Sequence, residues 1–254
     1  MLDFLLFAVV GALAQLVDGA LGMAYGVVSS SVLLATGVSP AQASASIHAA
    51  ELFTTAASGG AHLANRNIDW PLFWRLVPFG VVGGVAGTYV LTGIDGSVVR
   101  PYVAAYLGII GLYLIVRSFR KIPQKPVPLH IVPPLAATGG FLDAIGGGGW
   151  GPVVTSGLLG AGGQPRYVIG SVNAAEFVVT VAVSLTFLIA LLTGRWQADM
   201  TGNALAVGGL ILGGVVAAPL AAYAVRIIPE KPLLRLVGIL ICALALYQIS
   251  ALLI

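Results

Sequence analysis

Apolar residues fill this chain in long stretches, and short clusters of turn-forming and charged residues cut them into eight blocks: 2–36, 41–64, 71–93, 98–117, 129–161, 166–193, 200–225 and 231–254. No block alternates between apolar and polar positions as the strands of a transmembrane barrel would; the pattern is helical. Six blocks suit one crossing each. The first and fifth are too long for one, since thirty-five residues at about 1.5 Å each make roughly 50 Å against a hydrocarbon core of roughly 30 Å. Each is also interrupted in its middle, by Asp18-Gly19-Ala20-Leu21-Gly22 in the first and by Asp143-Ala144-Ile145-Gly146-Gly147-Gly148-Gly149 in the fifth. Each therefore predicts two half-length helices, and the whole predicts an all-α integral membrane protein.

Composition narrows this further. Only 8% of the residues are charged, where a soluble domain has about a quarter. The 34 glycines and 14 prolines suit membrane helices, in which neighbours satisfy freed backbone groups. The lone Cys242 excludes disulfide frameworks and thiolate clusters. Met1-Leu2-Asp3-Phe4 lacks the basic start of a secretory signal, so the first apolar run reads as part of the mature fold. A formal charge of +3 with no long basic tract leaves no nucleic-acid partner to expect. P-loop, dinucleotide and nucleophile-elbow motifs do not stand out, so no cofactor is expected either.

The two interruptions correspond because the chain is internally duplicated. Adding 125 maps Asp18 onto Asp143, Gly22 onto Gly147, Tyr25 onto Trp150, Pro40 onto Pro165, His48 onto Asn173 and Glu51 onto Glu176. The match Ser-x-x-Ala-Ala-Glu, 46–51 against 171–176, is the specific part of the alignment. An offset of 130 continues it, pairing Asp69 with Asp199, Gly83-Gly84 with Gly213-Gly214 and Gly108 with Gly238. Two membrane repeats follow, 1–128 and 129–254. If blocks one and five each cross once, the arginines and lysines divide seven against five between the two sides. If each block enters and leaves by the same face they divide ten against two, with only Arg100 and Arg195 opposite. The positive-inside rule selects the second arrangement. The repeats are then inverted, each a broken or re-entrant helix hairpin followed by three transmembrane helices, with both termini outside.

Four acidic residues fall inside apolar blocks: Asp18, Glu51, Asp143 and Glu176. Each costs roughly 2.5 to 3.5 kcal/mol on insertion scales, so a reason is required. The two aspartates stand beside helix breaks and suit capping of N–H groups; all four suit proton exchange in a polar cavity. His48 shares a helix face with Glu51, and Asn173 repeats the arrangement with Glu176. A His-x-x-Glu pair also suits metal, but Asn173 stands where a further ligand is needed and His62 and His130 lie near block ends, so no metal is expected. The second half-helices, restarting near Gly22-Met23 and near Trp150-Gly151-Pro152, turn positive ends inward, the usual geometry of secondary-transporter sites. The glycines equally suit close helix packing, and Tyr25 and Trp150 suit either gates or core aromatics.

At these residues the sequence resembles the sulfite exporter TauE/SafE family, also called the four-toluene-sulfonate uptake permease family, over essentially its whole length. The carrying motifs are Asp143 to Pro152, Gln164-Pro165 and Gly170-Ser171, repeated as Asp18 to Gly26, Ser39-Pro40 and Ala45-Ser46. The connection His62 to Trp70 is also similar to the family's. The first half departs in having Leu21-Gly22-Met23-Ala24 where the second has four glycines. The resemblance implies a multi-pass protein of a bacterial plasma membrane that moves sulfite, sulfoacetate or other organosulfonates outward, coupled to protons. The expected site then takes a small anionic substrate on Gly22, Tyr25, Ser46, His48, Gly147, Gly148, Gly149, Trp150, Ser171 and Asn173, with Asp18, Glu51, Asp143 and Glu176 carrying protons. An intramembrane enzyme using His48 and Glu51, or a passive anion channel, are the competing readings. The sequence leaves monomer and homodimer both open.

Overall fold

The computed structural model describes residues 2–120, 126–198, 204–224 and 230–253. Lys121, Lys125 and Arg226 of the charge division and Asp199 of the repeat alignment lie outside the described residues. Among these there are ten α-helices: α1 (Leu2–Leu21), α2 (Tyr25–Ala35), α3 (Pro40–Ala64), α4 (Trp70–Leu91), α5 (Gly96–Arg117), α6 (Val132–Gly146), α7 (Ser156–Gly160), α8 (Pro165–Leu192), α9 (Ala204–Ala224) and α10 (Glu230–Leu253). A single π-helical turn, Gly151–Thr155, leads into α7. The all-helical expectation holds, and four helices are long and apolar enough to cross a membrane by themselves: α4, α5, α8 and, over Leu234–Ala251, α10. Apolar side chains such as Trp74, Tyr102, Ile109, Leu192 and Leu246 are exposed on their outer faces, as lipid contact requires.

Local chemistry sets the helix starts. Asp69 accepts from Leu72 N–H at 3.2 Å and Asp95 from Ser97 N–H at 2.8 Å, each capping the helix that follows. Pro40, Pro71 and Pro165 stand in first turns, where a missing N–H costs nothing. Both long apolar blocks are broken as expected. α1 stops at Gly22 and α6 at Gly147, each with φ +65°, a left-handed conformation that favours glycine. Gly22 N–H donates to Asp18 O at 2.5 Å and Gly147 N–H to Asp143 O at 2.7 Å.

Close approach between helices is made at glycines. A Cβ on Gly209 of α9 would stand 2.5 Å from Phe4 O of α1, and one on Gly87 of α4 would stand 2.6 Å from Phe141 O of α6. Successive contacts, Gly209 and Gly213 against Phe4 and Ala8, Gly83 and Gly87 against Ala137 and Phe141, run in the same chain direction. Elsewhere the direction reverses. Gly59 of α3 lies against Ala174 of α8 while His48 lies against Phe187, and Gly111 of α5 lies against Gly238 of α10 while Gly108 meets Ala245.

Two ends of the bundle are tied separately. At one, Arg166 Nε donates to Asn67 Oδ1 at 2.7 Å, Asp69 N–H to Ser171 Oγ at 2.8 Å, and Arg235 Nε to Ser118 Oγ at 3.0 Å. This arginine-rich end also carries the cleft between Arg75, Val127 and Gln164. At the other, Arg195 covers the Tyr89 ring at 3.6 Å, Arg100 Nη2 donates to Leu34 O at 3.0 Å, and Gly96 meets Pro40.

These contacts predict that Gly83→Val and Gly213→Val each lower the apparent melting temperature in detergent, since overpacking at such sites costs about 1–3 kcal/mol. Gly60→Ala, where nothing lies within 4 Å, leaves it unchanged. Equal behaviour of all three would contradict the packing.

Candidate functional site

The site grows from the two helix breaks. Asp18 Oδ1 accepts from Ala24 N–H at 2.8 Å and from Tyr25 N–H at 3.2 Å. Asp143 Oδ1 accepts from Gly149 N–H at 2.7 Å and from Trp150 N–H at 3.0 Å. The two sets coincide under the offset of 125. Each aspartate thus occupies the positive start of the half-helix after its own break. The N–H groups expected to wait for an anion are, at these four positions, already bonded to carboxylate.

The breaks cross each other in backbone contact. Gly148 packs on Gly26 and Val27, Gly151 packs on Met23, and Thr155 Oγ1 donates to Gly22 O at 2.8 Å. A Cβ at Gly26 would stand 2.6 Å from Gly147 O and 2.9 Å from Glu51 Oε1, so only glycine fits between the second break and α3. Around this crossing lies a narrow cleft of about 10 Å³, room for about one water. Its polar lining is Asp18, Glu51, Asp143 and Glu176, and its remaining wall is Met23, Ala24, Gly26, Val27, Gly148, Gly151 and Pro152. All four intramembrane acidic residues, drawn from α1, α3, α6 and α8, therefore face one small space. Glu51 is 2% exposed, and its Oε2 has no protein partner.

His48 joins the group from α3. Its Nδ1 lies 2.8 Å from Ser44 O, an atom that can only accept, so Nδ1 carries a proton. Its Nε2 faces Asp143 Oδ2 at 3.2 Å, and a hydrogen bond there needs a proton on one of the two. His48, Glu51 and Asp143 offer donor atoms within 4.8 Å of one another. These three are where a cation would be held, with the third donor coming from α6 and not from the repeat position of His48. Two carboxylates at that separation repel by about 3 kcal/mol at an effective dielectric near 20, so protons or a cation must accompany any anion that binds there.

The other expected residues do not line the cleft together. Asn173 Nδ2 donates to Ile169 O at 3.1 Å and lies against Gly22, with its Oδ1 buried and unpartnered. Ser46 is buried with its hydroxyl likewise unpartnered. Ser171 stands apart, its Oγ accepting from Asp69 N–H at the arginine-rich end. Tyr25 and Trp150 are buried frame residues: Tyr25 OH donates to Leu210 O at 2.9 Å and Trp150 Nε1 to Val172 O at 3.1 Å. Gly147 and Gly149 shape the second break behind the cleft wall, Gly147 against Ser30 and Ile47.

Two participants were not singled out from sequence. Met23 takes the place that Gly148 has in the second half, and it turns its sulfur towards Ser156 Oγ at 3.3 Å and Arg117 Nη1 at 3.4 Å. Arg117 also donates to Ser156 Oγ at 2.5 Å and is buried. Its place near a block end made it look like a topology charge, and only the fold brings it against the first break.

The profile of the family described as sulfite exporter TauE/SafE matches residues 7–248. A similar protein is the "Probable membrane transporter protein YtnM" of Bacillus subtilis (strain 168), 44% identical over 233 residues, covering 89% of this chain and 76% of that protein. No solved structure matches the chain.

The carboxylate caps predict a graded response. Asp18→Ala strands two N–H groups and should cost about 0.5–2 kcal/mol, while Asp18→Asn, whose amide oxygen still accepts, should recover most of it. Thermal unfolding in detergent reads both; an alanine variant as stable as the unmutated chain would remove the capping role.

Proposed function

The chain belongs to the sulfite exporter TauE/SafE family and is a membrane transporter; from that premise we propose a proton-coupled secondary transporter of a small sulfur-containing anion such as sulfite, sulfoacetate or another organosulfonate, working as an exporter in a bacterial plasma membrane. The observation that carries this reading is the crossing of the two aspartate-capped breaks, with Glu51 and Glu176 facing the same cleft. Broken helices at a repeat interface provide the polar backbone and the bistable joint that alternating access needs.

In this reading residues 1–128 and 129–254 are inverted repeats, each a re-entrant hairpin and three crossings. Support comes from direction: α3 and α8, matched by the duplication, pack antiparallel, and so do α5 and α10. Equivalent helices that meet antiparallel are related by an axis perpendicular to them, which for membrane-crossing helices lies in the bilayer plane. The return of α2 towards Gly96, Pro40 and Arg100, and of α7 towards Val127 and Gln164, supports the hairpins entering from opposite faces.

The anion would rest against Gly26, Gly148 and Gly151, with Ser46, His48 and Asn173 close by. Glu51 and Glu176 would exchange the coupling protons, because an anion among four carboxyl groups is tolerable only when some are neutral. Asp18 and Asp143 would hold the breaks open as charged caps, Asp143 sharing a proton with His48.

Proteoliposomes test this. The unmutated protein should move radiolabelled sulfite saturably under a pH gradient, and Glu51→Gln and Glu176→Gln should each lower that flux by at least about tenfold, or about 1.4 kcal/mol, without loss of fold. Full gradient-driven flux in both variants would refute the proton role.

A further inference from the structure

The cleft is lined by four acidic side chains, and His48, which contacts Asp143 beside it, is a basic side chain that is not permanently charged. Its helix ends are already given to carboxylates. A fixed positive charge for the substrate must come from elsewhere, and Arg117 is the candidate within reach. Among the described residues it is the one arginine or lysine with less than a tenth of its surface exposed, at 8%. It hangs from the last turn of α5 and touches Met23, which lines the cleft, and Ser156 of α7. Met23, Ser156 and Arg117, all buried, form a layer between the cleft and the arginine-rich end.

Among the described residues, the corresponding layer at the other end has no such charge. Ser31 is the repeat counterpart of Ser156, and Gln248, one position past the counterpart of Arg117, donates from Nε2 to Ser31 O at 3.3 Å. Gln248 is as buried as its partner layer, at 2% exposure. One end of the site is therefore closed by guanidinium, serine and thioether, and the other by a neutral amide and serine.

We propose that Arg117 is the anion-capturing residue of the route that opens towards the arginine-rich end, and that the route closed by Gln248 binds the same anion more weakly. When the Arg117 layer parts, the guanidinium exchanges the Ser156 hydroxyl for substrate oxygens, to which its planar fork is suited. By the positive-inside rule this end is cytoplasmic, so the asymmetry favours loading from inside and release outside. The proposal rests on the transport reading above and adds to it a residue and a structural cause for its outward direction.

The test compares KM from the two faces, using inverted and right-side-out membrane vesicles and, as probes, sulfite, thiosulfate, ethanesulfonate and acetate. Arg117→Gln should raise KM from the cytoplasmic face about tenfold or more, with KM from the outer face little changed and the maximal inward rate falling in proportion, because the driving gradient fixes the ratio of rate to KM between the two directions; Arg117→Lys should recover part of the loss. Gln248→Arg should lower KM from the outer face, and it decides the matter if Arg117→Gln does not fold. Unchanged KM in Arg117→Gln, an equal rise from both faces, or no gain in Gln248→Arg overturns the proposal while leaving the transport reading intact. Absence of flux of all four probes in the unmutated protein removes both.

Discussion

A polypeptide that stops being helical inside a bilayer leaves N–H and C=O groups with no water to satisfy them. Two such interruptions are built into this chain, and the same device resolves both. A glycine in the left-handed conformation closes the first half-helix, and the aspartate four residues before it reaches forward to the N–H groups where the chain resumes. Asp18 and Asp143 thereby convert an expensive backbone defect into a fixed, hydrogen-bonded corner. The remaining structure depends on these corners being rigid enough to cross.

From the crossing follows the chemistry. Gly26, Gly148 and Gly151 let the two backbones touch, which brings the capping carboxylates within one cleft and sets Glu51 and Glu176 on its walls. A space so lined is hostile to an anion by itself. In the proposed reading it would take an anion that arrives with protons, and the buried Arg117 at one end would add attraction that the carboxyl groups deny. Oε2 of Glu51 and Oδ1 of Asn173 are buried polar atoms whose hydrogen bonding the protein leaves incomplete.

Much of this could be read from the sequence because membrane helices advertise their exceptions. Asp18 and Asp143 stand out in apolar runs, the blocks that hold them are too long for one crossing, and an offset of 125 aligns them without a gap. What sequence could not supply was partnership. The aspartates were candidates for both capping and proton exchange, and only the folded distances show that Oδ1 of each is taken by two N–H groups. Ser171 aligns with Ser46 as a site residue, yet its hydroxyl is bonded to the α3–α4 connection at one end of the bundle. Arg117 was hidden for the opposite reason, since a basic residue at a block end fits the topology rule whether or not the side chain turns inward. The pairing of α1 with α9 and α4 with α6 is likewise invisible in a pattern of single glycines, which match by chance in a chain with 34 of them.

The central claim is that anion and protons occupy one cleft together. Its most direct test is the thermal shift that ethanesulfonate produces in the purified protein as a function of pH, because a sulfonate keeps the same charge across the range and any pH dependence belongs to the protein. Ligand binding raises apparent stability by RT ln(1 + [L]/Kd). The account predicts a shift that grows as pH falls, and one that persists but loses most of its pH dependence when Glu51 and Glu176 are both changed to alanine. A shift independent of pH, or one that grows as pH rises, would contradict it.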